Sequence, residues 1–373
     1  NQGTLANSNY TITYVGADLT ITQRPITVTA TATTKQYGAT DPTFDYSVTT
    51  GSLVSGGALT GALGRESGAN VGSYAMTIGT LANSNYNITF VPANFTITQR
   101  PITVTAAAKS KEYGASDPVF THTVTTGSLV VGDALTGSLS RVTGENIGTY
   151  AILRGTVENT NYDITYVGAL LTVTQRPITV TADAVTKEFG AADPALTYSI
   201  TTGSLVVGDA LTGSLSRALG ETVGTYLIAQ DTLTNSNYAI TYVPANLSVT
   251  QRAITVTATT KSKEYGATDP ELTYSVTTGS LVPTHALSGS LSRATGEDAG
   301  TYAISQGTLA NSNYNITYVG ADLSITQRPI TVSAASATKQ YGASDPTFAH
   351  SVTNGSLIGS DTLTGSLSRV TGE

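Results

Sequence analysis

A lysine and an asparagine recur at fixed positions along this chain, and together they could form a covalent crosslink. A spontaneous Lys to Asn amide requires both side chains to be buried together beside a carboxyl that shuttles the proton. Each lysine stands next to a turn, where exposure to solvent is the ordinary state. The sequence therefore favours solvated lysines over a crosslink. The residues concerned are Lys35, Lys111, Lys187, Lys263 and Lys339, with Asn9, Asn85, Asn161, Asn237 and Asn313.

Two acidic positions also recur, and a pair of carboxylates is the equipment of a glycosidase. The first is an Asp before Pro, such as Asp117, and the second is a Glu after a turn Gly, such as Glu145. We expect Asp117 to hydrogen-bond the backbone of its own turn. The second acid is dispensable, because Ala69 takes its place in one copy, and glycosidase catalysis is not expected. The glutamates of this set are Glu145, Glu221, Glu297 and Glu373.

Loop acids are the remaining candidates for a metal site. Calcium is bound by oxygen ligands, chiefly carboxylates, and could stiffen the joints of an extracellular array. The acids to consider for such structural calcium are Asp133, Asp209 and Asp361. The joint sequence TQRPIT contains no acid. We therefore predict no cofactor, and structural calcium at these three acids is the alternative.

The three histidines do not assemble into a catalytic or metal-binding set. His122 and His350 occupy a position that Tyr holds in other copies, which is typical of a partly buried aromatic site with a polar tip. His285 lies in a variable loop, and no copy contains two histidines. Neither a histidine metal cluster nor a Ser/His/Asp triad can be built within one copy. We predict that the protein is not an enzyme and has no catalytic, cofactor-binding or metal-ligating residue.

The composition excludes several classes of partner. The net charge is −7 and only 12% of the residues are charged, so no basic surface is available for nucleic acid or anionic lipid. There is no Cys, which excludes disulfides and thiolate metal sites, and no apolar stretch reaches membrane-spanning length. We expect a secreted or bacterial cell-surface location. We also expect an interior segment of a longer chain whose partners are its neighbouring repeats and, as an alternative, a host or cell-surface glycan or protein.

The chain is an internal repeat with a period of 76 residues. Tyr37-Gly38 returns as Tyr113-Gly114, and Asp41-Pro42 returns as Asp117-Pro118. The word QRPITVT marks each boundary, and a Pro there predicts a short, stiff joint. One joint carries Ala253 instead of Pro and is expected to bend most. The predicted divisions are a C-terminal part of a repeat at 1–24, complete repeats at 25–100, 101–176, 177–252 and 253–328, and an N-terminal part at 329–373.

Within one copy, apolar and polar residues alternate with the period of two that half-buried strands show. Ile102, Val104 and Ala106 form one such row, and Leu171 and Val173 form another. At least five strands are expected in each copy, and the segment GDALTG is open to a turn, one helical turn or a strand start. The sequence predicts an all-β, mainly antiparallel fold. The copies would be small β-sandwich or β-grasp-like domains in tandem, forming an elongated rod.

The words KEYGASDP, TTGSLVVGDALTG, GENIGTYAI and NYDITYVGALLTVTQRPITVTA occur in fixed order and at fixed spacing. In these words the whole chain resembles the MBG domain of the YGX type. That resemblance implies an all-β or β-grasp-like module, found in tandem in large bacterial extracellular and surface proteins. It also implies a structural or adhesive role and brings no catalytic residue. Phe189 in place of Tyr is the departure within the name motif.

Three functions remain open at this point. The leading hypothesis is a structural stalk or spacer in a bacterial extracellular adhesin or surface fibre, since near-identical copies supply repeated geometry and no unique pocket. The first alternative is a multivalent binding module for glycan or host protein. Its anchors would be the row Tyr10, Tyr86, Tyr162, Tyr238 and Tyr314, although the alternation of these residues with Ile favours burial. The second alternative is a self-associating filament subunit, in which residues 1–24 complete residues 329–373 of another copy.

Overall fold

The computed structural model describes residues 1–372 and contains thirty strands and no helix among them. We use first, second, third and fourth repeat for residues 25–100, 101–176, 177–252 and 253–328. The first repeat contains β1 Arg24–Ala30, β2 Thr33–Gln36, β3 Tyr46–Thr50, β4 Gly64–Arg65, β5 Gly72–Thr77, β6 Tyr86–Val91 and β7 Asn94–Thr98. The second contains β8 Arg100–Ala106, β9 Lys109–Glu112, β10 His122–Thr126, β11 Ser140–Arg141, β12 Gly148–Leu153, β13 Tyr162–Val167 and β14 Ala169–Thr174.

The later repeats have the same seven strands in the same order. The third contains β15 Arg176–Ala182, β16 Val185–Glu188, β17 Tyr198–Thr202, β18 Ser216–Arg217, β19 Gly224–Ala229, β20 Tyr238–Val243 and β21 Ala245–Thr250. The fourth contains β22 Arg252–Ala258, β23 Lys261–Glu264, β24 Tyr274–Thr278, β25 Ser292–Arg293, β26 Gly300–Ser305, β27 Tyr314–Val319 and β28 Ala321–Thr326. Beyond these, β29 Thr331–Ala334 pairs with β30 His350–Asn354.

Contacts between Cα atoms divide the chain into two compact units, which are described separately. The first unit comprises residues 1–176 and 236–239, and the second comprises residues 177–235 and the described residues from 240 onwards. The first unit therefore holds the first and second repeats. The second unit holds the fourth repeat and most of the third.

Each repeat in the first unit is built from two sheets. In the second repeat, the three-stranded sheet has the order β10, β8, β13 and the four-stranded sheet has the order β11, β12, β14, β9. Three of the five strand pairings are antiparallel, which confirms the prediction. The other two, β8 with β13 and β9 with β14, are parallel. The opening strands β8 and β9 therefore lie beside the closing strands of their own repeat, so each sheet joins the two ends of the repeat.

The core of each repeat lies between its two sheets. In the first repeat one buried cluster joins Ile26 and Val28 of β1 with Met76 of β5 and Phe95 and Ile97 of β7. Side chains from both sheets meet in this cluster, as they do in a β-sandwich. The sandwich is therefore the topology that forms, and no described residue supplies the helix of a β-grasp fold. In the second unit, Ile254, Val256, Ile304, Leu323 and Ile325 are the equivalent core residues of the fourth repeat.

Two local expectations are settled by the strands. The rows of Ile102 and Leu171 lie in β8 and β14 with their apolar side chains buried, as their alternation predicts. The segment GDALTG belongs to a turn, in which the Asp133 amide donates to the Val130 carbonyl at 3.0 Å, followed by one isolated bridge. The prediction of at least five strands omits two of the seven, β9 and β11.

The first and second repeats are joined with almost no linker. Strand β7 ends at Thr98 and β8 begins at Arg100, so Gln99 alone separates them. The Gln99 side chain donates to the carbonyls of Thr160 and Tyr162, at 3.1 and 3.2 Å. The connecting residue is thus hydrogen-bonded to the second repeat.

Candidate functional site

The most concentrated set of polar side chains is a buried ion cluster that recurs in the second, third and fourth repeats. In the second repeat it consists of Lys111, Asp117, Arg141 and Glu145. Lys111 lies in β9, Arg141 lies in the two-residue strand β11, and the two acids lie in loops. The equivalent residues are Lys187, Asp193, Arg217 and Glu221 in the third repeat and Lys263, Asp269, Arg293 and Glu297 in the fourth.

Each cation in the cluster is shared between both acids. The Lys111 ammonium donates to Asp117 at 2.7 Å and to Glu145 at 2.6 Å. The Arg141 guanidinium contacts both oxygens of Asp117, at 2.5 and 3.1 Å, and one oxygen of Glu145. Its remaining amino group donates to the carbonyls of Val142 and Gly144. Two positive and two negative charges therefore form a closed network.

Burial is unequal within the cluster. The Lys111 and Arg141 side chains are 4% and 10% exposed, whereas Asp117 and Glu145 are 34% and 62% exposed. A buried cation is tolerated only when it is paired and hydrogen-bonded. The cluster thus places its acids at the surface, where they cover two cations that point into the fold.

The network holds all of its members in their charged states. Hydrogen bonds from Arg141 and then Lys111 lower the pKa of Asp117 from 3.8 to about 2. Lys111 and Arg141 also lower the pKa of Glu145. Burial opposes the charge of Lys111, but its bonds to Asp117 and Glu145 outweigh this and raise its pKa. An ammonium held in this way is neither a base nor a nucleophile near neutral pH.

A tyrosine completes the cluster on one side. The Arg141 guanidinium carbon lies 5.5 Å from the centre of the Tyr150 ring, a cation–π distance. Gly144 contacts the same ring, and a Cβ added there would come within 2.1 Å of it. Gly144 also has φ +148°, which favours glycine. A glycine is therefore required at this position, where the chain packs against Tyr150 and its carbonyl accepts a hydrogen bond from Arg141.

Two expectations about these residues were wrong. Lys111, Lys187 and Lys263 are buried rather than solvated, because their chains point inward from an edge strand towards the acids. Asp117 binds Lys111 and Arg141 rather than the backbone of its own turn. Glu373 lies outside the described residues.

The lysine and the asparagine of one repeat have different partners. Lys111 contacts the two acids, whereas the Asn161 side chain binds Val71 and Asn70 of the preceding repeat. We expect the intact mass of the protein to equal the mass calculated for the uncrosslinked chain, because a charged ammonium does not attack an ionised carboxylate. Mass spectrometry checks this, and a deficit of one ammonia or one water per repeat would contradict it.

The first repeat contains a natural variant of the cluster. Ala69 stands in place of the glutamate, and Lys35 binds Asp41 and the Ala39 carbonyl instead. The side chains of Lys35 and Arg65 are 12% and 16% exposed, more than those of their counterparts. The glutamate thus shields the two cations from solvent in the repeats that contain it. The aspartate is present in every repeat.

Adding the missing acid should stabilise the first repeat. Ala69→Glu is expected to raise its free energy of unfolding by about 0.5–1 kcal/mol, the range of a largely exposed ion pair. Hydrogen exchange of the amides in β2 and β4 measures this in the intact chain. Ala69→Gln is the control, because it has similar length without the charge, and an equal effect from both variants would contradict an ionic origin.

The joint between the first and second repeats is the other recurrent polar arrangement. The Val71 amide of the first repeat donates to the Asn161 side-chain oxygen at 3.0 Å, and the Asn161 amide group donates to Asn70 at 3.1 Å. The rings of Tyr37 and Tyr162 meet edge to face, with centres 5.6 Å apart. Gly38 of the first repeat packs directly against the side chain of Val130 in the second repeat.

An acid also takes part in this joint, contrary to the expectation that the joint lacks one. Asp133 accepts a hydrogen bond from the Tyr162 hydroxyl at 2.6 Å and a second one from Tyr37 of the preceding repeat. Burial and then this carboxylate raise the pKa of both tyrosines. In the second unit, Tyr265 donates to Asp361 at 2.7 Å in the same way. The acids come from a loop that is distant in sequence, so the TQRPIT word does not reveal them.

Two of the three acids considered for metal binding, Asp133 and Asp361, accept hydrogen bonds from tyrosines. No group of three or more His, Asp or Glu side chains that could hold a metal occurs in residues 1–372. Structural calcium at Asp133, Asp209 and Asp361 stays a prediction. His122 is half-buried in β10 and His350 begins β30, while His285 contacts the ring of Phe189.

The tyrosine row considered for glycan binding is turned inward. Tyr86, Tyr162, Tyr238 and Tyr314 are all buried, and Tyr10 is exposed. The Tyr162 hydroxyl accepts from the Val130 amide at 2.8 Å, so both its ring and its polar tip are occupied. These four side chains are structural rather than available to a ligand.

Removing the asparagine should weaken the joint. Asn161→Ala leaves the Val71 amide without its side-chain acceptor, which is expected to cost about 1–2 kcal/mol and to accelerate exchange of that amide. Hydrogen exchange in the intact chain measures it. The matched control is Asn237→Ala, which should expose the Ile147 amide instead and leave Val71 protected. Unchanged protection of Val71 in Asn161→Ala would contradict the assignment.

No described part of the chain forms a helix long and apolar enough to cross a membrane. Comparison with curated proteins found no match. Two solved structures are similar in a loose sense. The N-terminal eight Ig domains of Down Syndrome Cell Adhesion Molecule (DSCAM) isoform 1.30.30 match 87% of this chain at 11% identity and a TM-score of 0.20, and this chain spans 58% of that structure. The N-terminal four Ig domains of Dscam1 isoform 8.4 match 70% of this chain at 13% identity and a TM-score of 0.19, with 81% of that structure covered.

The comparison with protein families gives the decisive result. The model of the MBG domain (YGX type) matches five successive segments of the chain, at residues 26–96, 102–172, 178–248, 254–324 and 330–373. Each segment contains the Tyr-Gly or Phe-Gly dipeptide and the Lys and Asp of the ion cluster. The chain is a tandem array of this domain and belongs to the MBG domain (YGX type) family.

Proposed function

We propose that this array is a structural spacer in a bacterial extracellular adhesin or surface fibre, without catalysis. The observation that carries the proposal is the joint between the first and second repeats. One residue, Gln99, connects their strands, and the second repeat is tied to the first because Asn161 accepts a hydrogen bond from the Val71 amide and Asp133 accepts one from Tyr37. A joint of this kind transmits orientation from one domain to the next, which a spacer needs and a flexible tether lacks.

The ion cluster supports the same function. Its charged groups are committed to one another, and their pKa directions keep them ionised, so they are poor acids, bases or nucleophiles. Its Lys and Arg lie in β9 and β11, the two outer strands of the four-stranded sheet, so the cluster fits a clamp that connects the opposite edges of that sheet. A clamp is useful in a domain of about 76 residues, whose hydrophobic core is small.

Small-angle X-ray scattering tests the proposal. A compact repeat of this size is about 30 Å wide, so five in line would span on the order of 150 Å with a radius of gyration of about 40 Å. A single compact body of this chain length would have a radius of gyration of about 21 Å. The larger value is expected, and the smaller value would end the spacer proposal. A secreted or cell-surface location belongs to the same proposal and is tested by protease accessibility on intact cells.

A further inference from the structure

The joint between the third and fourth repeats differs from the joint between the first and second at six positions. These positions lie in the contact between repeats or in the loop that carries it. The residues Phe189, Thr222, Ala253, Pro283, Thr284 and His285 stand where the earlier joint has Tyr37, Asn70, Pro101, Val131, Gly132 and Asp133.

The differences remove several of the directional contacts of the joint and retain one of its hydrogen bonds. Phe189 has no hydroxyl to donate, and His285 packs against its ring edge to face, with centres 4.9 Å apart. Thr222 replaces the asparagine whose side chain would accept from Asn313. The Val223 amide still donates to Asn313 at 2.9 Å, and the rings of Phe189 and Tyr314 still meet at 5.5 Å. The joint between the third and fourth repeats is therefore held by one hydrogen bond and two ring contacts, in place of the larger hydrogen-bond network of the joint between the first and second.

The remaining contacts restrain rotation less. A hydrogen bond to a carboxylate loses strength when its angle changes, whereas aromatic edges can slide over a range of angles. Ring contacts keep the repeats together without fixing their orientation. Compared with the first joint, this joint therefore restrains the relative orientation of its two repeats less, while still keeping them in contact.

The backbone differences at Ala253 and Thr284 act in the same direction, whereas Pro283 fixes its own φ within the loop. Proline fixes its own φ and restricts the residue before it, and Ala253 does neither. Thr284 has φ +71°, a left-handed conformation that is unfavourable for a β-branched residue, whereas Gly132 adopts φ +94° without penalty. The loop that carries His285 is therefore strained at Thr284 when His285 contacts Phe189.

From these coincident differences we infer that the joint between the third and fourth repeats is the compliant joint of the array, at which it bends. The inference rests on the proposed spacer function for its mechanical meaning, because a bend matters only in a chain that transmits position.

Distance measurements across single joints test the inference. The chain has no Cys, so spin labels attach only where a cysteine is introduced. Thr43→Cys with Val119→Cys reports the first joint, and Ala195→Cys with Glu271→Cys reports the third, at equivalent exposed positions of the intact chain. Pulsed electron–electron double resonance should give a distance distribution at least about twice as wide across the third joint.

Exchanging the joint residues is the control. Phe189→Tyr, Thr222→Asn, Ala253→Pro, Pro283→Val, Thr284→Gly and His285→Asp together should narrow the third distribution to the width of the first. The reverse set, Tyr37→Phe, Asn70→Thr, Pro101→Ala, Val131→Pro, Gly132→Thr and Asp133→His, should widen the first. Equal widths in the starting protein would overturn the inference. So would widths that do not respond to either set, and a scattering curve of an extended particle would leave the spacer function standing in both cases.

Discussion

Replacing Asp117 by Ala is expected to destabilise the second repeat by about 2–3 kcal/mol. The substitution leaves the buried Lys111 and Arg141 with Glu145 as their remaining acid. Glu145 is 62% exposed, so it compensates only in part. The expected loss stays below the 3–5 kcal/mol of a fully buried pair, because solvent reaches Asp117 and screens its charge.

Hydrogen exchange of the core amides in β12 and β14 measures this loss in the intact chain. The third repeat of the same molecules is the internal reference, because its own cluster around Asp193 is untouched. Glu145→Ala is the matched variant, and it should cost less than about 1 kcal/mol, since the first repeat folds with Ala69 in its place. Equal losses from the two variants would show that the acids are interchangeable and that Asp117 has no special role.

The contribution of Asp117 should depend on pH in one direction. Its folded pKa is lowered to about 2 from 3.8, so the stabilisation is fully present above about pH 4 and is lost as the pH falls towards 2. The difference in stability between the starting protein and Asp117→Ala should therefore shrink between pH 4 and pH 2. Denaturant unfolding at a series of pH values measures this, and a difference that persists unchanged at pH 2 would contradict the ionic origin.

Strands whose buried residues are apolar could be predicted from the sequence. The strand that carries the lysine of the ion cluster, and the cluster itself, could not. Ile102 and Val104 alternate with Thr, which is the pattern of β8. Strand β9 has the sequence KSKE, and its inward residue is Lys111, so no apolar alternation marks it. Its partner acids come from loops 6 and 34 residues further along, and spacing alone does not show that they converge.

The contacts at the joints could not be predicted from spacing either, because they also join residues that are distant in sequence. Tyr37 and Asp133 belong to different repeats, and the joint forms only when the loop of one domain folds back onto its predecessor. A signal for this contact does exist in the sequence. Phe189 and His285 depart from the repeat pattern together and stand 96 residues apart, as Tyr37 and Asp133 do. When two positions differ from the repeat pattern in the same copy, contact between them is indicated. This signal predicts that Asp133 lies at the joint beside Tyr37.

Gly38→Ala is expected to cost about 2–4 kcal/mol and to uncouple the first repeat from the second. Gly38 has φ +78°, and an added Cβ would lie 2.4 Å from the Cγ2 atom of Val130 in the second repeat. The methyl group must push Val130 away, and the Val130 amide would then lose the Tyr162 hydroxyl that it now contacts at 2.8 Å. Hydrogen exchange of the Val130 and Val71 amides measures the uncoupling, and both should exchange faster.

The fifth copy of the motif separates the clash from the backbone strain. Gly342 has nearly the same backbone, with φ +80°, and nothing lies within 4 Å of a Cβ added there. Gly342→Ala should therefore carry only the strain of a left-handed alanine, about 1 kcal/mol, and leave the Val130 and Val71 amides protected. If the two variants cost the same, the glycine of the Tyr-Gly dipeptide is needed for its φ alone. If Gly38→Ala costs more, the close packing of the Val130 side chain against Gly38 is what requires a glycine at the joint between the first and second repeats.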